Sequence, residues 1–177
     1  MLNDLENIKG DIKEFLSGCS SLVILGIGND IRGDDGLGPY IISKLSDLKE
    51  SRHESVQKPI VNMDKLYLID GGSVPENFTG LIKKHNPSHI ILIDASLMNR
   101  KAGEIAIVDK ENISDISIST HSMSLSFLIR YLEMEKEYNI QFIGIEPKIM
   151  DLSMELSEEV ELASNNLINI FSEILFD

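Results

Sequence analysis

The residues best equipped for chemistry in this 177-residue chain are acids and one histidine, each placed just beyond an apolar run. Asp34 and Asp35 lie in the stretch ILGIGNDIRGDDGLG (24–38), Asp94 closes the run His89–Ile93, and His121 stands in Ser-Thr-His-Ser just before a helical pattern. One acid of the Asp34-Asp35 pair, Asp94 and His121 together would offer carboxylate oxygens and an imidazole nitrogen, a donor set suited to a divalent ion. Three side chains leave coordination positions open, so such a site could share its metal with another molecule. The same groups could serve acid–base chemistry. The plain alternative is that the acids cap helices and the Thr-His-Ser stretch is a cap region.

Other chemistries fit poorly. Gly26-Ile27-Gly28-Asn29-Asp30-Ile31 begins like a dinucleotide fingerprint, but isoleucine occupies the place of the third glycine, and two acids follow where a pyrophosphate would lie. The glycines then read as residues that let the backbone turn. A phosphate loop of the G-K-[ST] type and a G-x-S-x-G nucleophile elbow are both missing from the sequence. His85 and His89 have the spacing of a helical ligand pair, yet Pro87 between them would break the helix, which points to a solvated loop. His53 sits in a polar stretch and reads as surface. Glu155, Glu158, Glu159 and Glu161 complement the dipole at the start of the last helix.

The elements that would position the acids follow from apolar periodicity. Leu2, Leu5, Ile8, Ile12, Phe15 and Leu16 predict an amphipathic leader helix stopped by Gly18. Leu22–Ile27 predicts a strand buried on both faces, and Ile41, Leu45 and Leu48 predict a helix begun near Pro39. Residues 49–64 read as a loop. Strands are expected at Leu66–Ile69, His89–Ile93, Ile105–Val108 and Tyr138–Ile145. Helices are expected from Ser73 or Pro75 to about Lys84, from about Ser122 with Thr120 or Ser122 as cap, and from about Ser157 onward. This alternation predicts a three-layer α/β/α domain with a mostly parallel, possibly mixed, central sheet. Residues 1–21 would form an amphipathic extension and 22–176 the core. In such a sheet ligands collect beyond the carboxyl ends of the strands, where all the candidate acids would open.

Composition bounds the partners. A net charge of −13 and a pI near 4.7 oppose binding to a phosphate backbone, so nucleic acid and anionic membranes are not expected partners. Cys19 alone cannot form an internal disulfide, and it lies in a Ser-rich link without a neighbouring histidine. The apolar runs are far shorter than the ~20 residues of a membrane span. A reducing cytoplasm suits these features.

Several motifs in one order resemble the [NiFe]-hydrogenase maturation endopeptidases, most closely the hydrogenase 3 branch. They are GIGNDIRGDDGLGP (26–39), IDGGSVPEN (69–77), ILIDA (91–95), AGEIAIVD (102–109), STHSMSL (119–125) and FIGIEP (142–147). The resemblance runs from Leu22 to the final helix. It implies a cytoplasmic protease that removes a carboxy-terminal extension from a hydrogenase large-subunit precursor after nickel insertion. Matched position by position, the family's metal-contacting and catalytic residues fall on Asp35, Asp94 and His121. The implied nickel arrives on the substrate and is not a permanent cofactor. Asp34, Asp70 and Glu76 lie in matching motifs, with turn and capping duties as their expected roles. The alternative from another class is a nickel-sensing assembly factor that binds the precursor without cutting it. A nucleotide-binding regulator is a third reading.

Overall fold

The computed structural model describes residues 2–52, 61–115, 122–134 and 136–176. His53, Thr120 and His121 lie outside the described residues. The chain forms α1 (Leu2–Phe15), β1 (Leu22–Ile27), α2 (Leu37–Arg52), β2 (Leu66–Gly72), α3 (Thr79–His85), β3 (His89–Ala95), β4 (Ile105–Asp109), α4 (Ser122–Glu133), β5 (Asn139–Ile145) and α5 (Glu158–Leu175). One sheet of order β2-β1-β3-β5-β4 carries them. All its neighbouring pairs are parallel except β4 against β5, so the expected three-layer, mostly parallel sheet is the observed one.

Strand alternation divides the core. Ile24, Ile91, Ile93 and Ile143 face α1, α2 and α5, while Val23, Leu25, Ile90, Leu92 and Phe142 face α3 and α4. Both faces of β1 and β3 are covered, which is why these strands are apolar runs without a polar alternation.

Local signals explain the element ends. α3 stops where Asn86 takes a left-handed conformation (φ 47°) and its N–H reaches the carbonyls of Ile82 and Lys83, each at 3.1 Å, before Pro87. Two expectations shift. α2 runs on to Arg52, past the predicted loop start at residue 49, because Leu45 and Leu48 keep its apolar stripe against the sheet. Residues 75–78 form a separate 3-10 turn, so α3 proper begins only at Thr79.

The glycines of the first motif do more than turn the chain. Gly26 lies inside β1 and Gly38 in the first turn of α2, and the two backbones touch: a Cβ on Gly26 would strike the Gly38 carbonyl, and one on Gly38 would strike Ile27. The close strand–helix packing that a third fingerprint glycine would have provided at residue 31 is provided by Gly38 instead.

Candidate active site

The strand order reverses between β1 and β3: the chain leaves β1 through α2 toward β2 on one side, then returns past β1 to β3 on the other. At such a switch point the connections part and leave a crevice at the carboxyl ends of the strands. Asp34 and Asp35 follow β1 in a 3-10 turn, Gly33–Gly36, and this turn packs against β3, the strand carrying Asp94. Asp34, Asp35 and Asp94 are all buried, at 0%, 1% and 0% exposure. Carboxylates rarely reach such burial without dedicated partners, so this edge is a built polar site within an apolar sheet.

The two neighbouring acids have different duties. The Asp34 carboxylate accepts four hydrogen bonds: from Lys148 N–H (2.7 Å) and Ile149 N–H (2.8 Å), and from Ser157 N–H (2.6 Å) and hydroxyl (2.9 Å). It joins the turn after β1 to the segment after β5. Ser157 stands at the N-cap of α5, but its hydroxyl serves Asp34 and not its own helix. Asp35 contributes its carbonyl to Asn29 N–H at 3.1 Å, closing the loop. That closure leaves no room for a Cβ on Gly28, whose φ is +140°.

On β3, Ile91, Ile93 and Ala95 belong to the face covered by α1, α2 and α5, so alternation assigns Asp94 to the opposite face, with Ile90, Leu92 and α4. α4 leads directly into parallel β5 and so runs against the strand direction, bringing its first residue, Ser122, toward the same carboxyl edge. Its packing against the 75–78 turn, which follows β2, agrees with that placement. His121 precedes Ser122 and lies outside the described residues. Among the described residues no three His, Cys, Asp or Glu side chains form a metal cluster.

The remaining polar residues resolve into structural roles. Asp70 accepts Gly72 N–H at 3.0 Å and shapes the end of β2, as expected for a turn residue. Glu76 is exposed in the 75–78 turn, and its carbonyl takes the Thr79 hydroxyl at 2.9 Å. Glu146 went unassigned in the sequence, although it ends an apolar strand just as Asp94 does. It is buried and accepts Met98 N–H (2.6 Å) and Arg100 N–H (3.2 Å), fixing the loop that follows Asp94. The solvated loop predicted around His85 and His89 is corrected. His85 stacks on Tyr67 at 3.7 Å, and His89 opens β3, buried, with Ser88 Oγ 2.9 Å from its Nδ1 and the Phe15 ring edge-on at 5.1 Å. Burial holds both histidines below their ordinary pKa. Cys19 is buried at the opposite edge, and burial pushes its thiol above the ordinary value, which is inert behaviour.

Comparison with known proteins agrees with this architecture. Residues 46–174 match the family model described as HycI, hydrogenase maturation protease. A protein of Methanocaldococcus jannaschii named as a hydrogenase maturation protease is 40% identical over 160 residues, covering 90% of this chain and 91% of that one. The hydrogenase 3 maturation protease of Escherichia coli is 31% identical over 140 residues, covering 78% of this chain and 81% of its own. The crystal structure of a [NiFe] hydrogenase maturation protease from Thermococcus kodakarensis superposes with a TM-score of 0.78 at 28% identity, covering 94% of this chain and 99% of that one. With fold, motif order and relatives in agreement, the chain belongs to the hydrogenase maturation protease family and is an endopeptidase.

Proposed function

We propose that this endopeptidase removes the carboxy-terminal extension of a nickel-loaded [NiFe]-hydrogenase large-subunit precursor in the cytoplasm, and that Asp35, Asp94 and His121 contact the substrate's nickel. The observation that carries this reading is the pair of buried aspartates at the β1/β3 switch point, on facing elements of one crevice. Carboxylate oxygens and an imidazole nitrogen suit a borderline divalent ion such as nickel, and three protein donors leave room for ligands from the precursor.

Hydrolysis needs one proton acceptor and one proton donor. The water oxygen bonds to the scissile carbonyl carbon, the C–N bond breaks, and the amine leaves with a proton. An aspartate of the pair takes the water's proton and returns it to the leaving nitrogen. Nickel held by the substrate anchors the scissile bond beside these groups, which makes cleavage conditional on a loaded precursor. Among the described residues no helix is long and apolar enough to cross a membrane.

The test is incubation of purified precursor, with and without nickel, followed by intact mass. Loss of the extension from loaded precursor only is the expected outcome. Equal cleavage of the empty precursor would remove nickel from the reading.

A further inference from the structure

The segment 147–157 after β5 lies against the turn 29–36 and is held there through its backbone. Gly33 N–H donates to the Ser153 carbonyl at 2.7 Å, Ser153 N–H to the Ile31 carbonyl at 3.1 Å, and Asp34 N–H to the Ile149 carbonyl at 2.8 Å. The Asp34 carboxylate and the Arg32 guanidinium, the latter on the Met150 carbonyl at 3.3 Å, add side-chain ties. Ser153 Oγ then closes its own turn with Glu155 N–H at 3.1 Å.

With the backbone so fixed, Met150 and Leu156 pack on the core while four other apolar side chains stay exposed. Leu152 and Met154, on either side of Ser153, are each 83% exposed, and Ile31 and Ile149 beside them are 48% and 42% exposed. Single exposed apolar residues are ordinary, but four on two mutually bonded segments beside one crevice make a patch. Its charged neighbours are unbalanced. Asp30, Asp151 and Glu155 are exposed there and outnumber Arg32, whose guanidinium lies on the Met150 carbonyl, while Lys148 is engaged by Glu159 at 2.7 Å.

We infer that this patch docks the substrate, specifically a precursor segment that carries basic residues among apolar ones; the inference rests on the proposed function. The apolar side chains supply contact area, with Met154 adaptable in shape, and the carboxylates select positive charge. A second copy of this chain is a poor occupant, because it would bring the same carboxylates and a net charge of −13 to the interface. Because the patch is bonded to the turn holding Asp35, a docked segment would enter the crevice in a fixed register.

The experiment compares the wild type with Leu152→Ser/Met154→Ser and with Asp151→Lys/Glu155→Lys, using purified nickel-loaded precursor. Cleavage kinetics, equilibrium binding to immobilised precursor and gel filtration are measured on each. All four residues are exposed, so both variants should fold. Each is expected to raise KM and Kd by about 10-fold with kcat kept, as for loss of central contact residues. Wild-type binding should weaken with added salt, and the charge-reversed variant should lose that dependence. Wild-type KM and Kd in both variants would overturn the inference. So would a dimeric wild type made monomeric by Leu152→Ser/Met154→Ser with precursor affinity unchanged. Should the wild type fail to cut the precursor, the proposed function fails, while the binding arm still decides the docking surface.

Discussion

Asp34 and Ser157, 123 positions apart in sequence, are joined by two hydrogen bonds that are both buried: the serine N–H and hydroxyl reach the carboxylate at 2.6 and 2.9 Å. This contact ties the connection between β1 and α2 to the one between β5 and α5. It makes Asp34 the anchor of the crevice wall, and it separates Asp34 from Asp35, its neighbour.

Asp34→Ala should lower the unfolding free energy by about 3 kcal/mol or more, since each donor left without its carboxylate in a buried site costs about 1–3 kcal/mol. Ser157→Ala removes only the hydroxyl bond and should cost about 1–2 kcal/mol. The double variant should be less unstable than the sum, by at least ~0.5 kcal/mol of coupling. Urea denaturation of the four proteins checks this, and strict additivity would mean that the contact carries no weight.

Asp35→Ala, Asp94→Ala and His121→Ala should each reduce processing of nickel-loaded precursor by about 100-fold or more while keeping the native circular dichroism spectrum, the loss typical of removing a metal-contacting or acid–base group. Full cleavage by all three variants, read by intact mass, would refute the site assignment.

Gly26→Ala and Gly38→Ala should each destabilise the protein by about 3 kcal/mol or more, at the upper end of overpacking effects. The added methyl on Gly26 meets the Gly38 carbonyl and, at 2.6 Å, the Ile42 side chain, and backbone cannot step aside as a flexible side chain can. Wild-type stability in either variant, measured by thermal or chemical unfolding, would contradict the close approach of β1 and α2.

His89 predicts a pH dependence. Burial disfavours its charged form, so the folded protein binds the proton at lower pH than the unfolded chain does. The stability this group supports is therefore complete above the unfolded value, about 6.5, and declines as pH falls below it. His85 acts in the same direction, through burial and the neighbouring Lys84 charge. Stability measured between neutral and mildly acidic pH should fall less steeply in His89→Gln than in the wild type. An unchanged slope would mean that His89 does not contribute.

The sequence by itself determined the layers. Apolar runs such as Leu22–Ile27 and His89–Ile93 must be buried on both faces, and the 3.6-residue stripes of the helices must cover them. It also located Asp34, Asp35 and Asp94 at or beyond strand ends, because a charged residue that follows an apolar run marks a sheet edge. The order β2-β1-β3-β5-β4, which brings the turn after β1 against β3, was decided by tertiary packing. So were the separate duties of Asp34 and Asp35, and the burial of Glu146 and His89. Those depend on donors distant in the chain, such as Lys148, Ser157 and Met98, and local periodicity carries no record of which distant backbone N–H a carboxylate will meet.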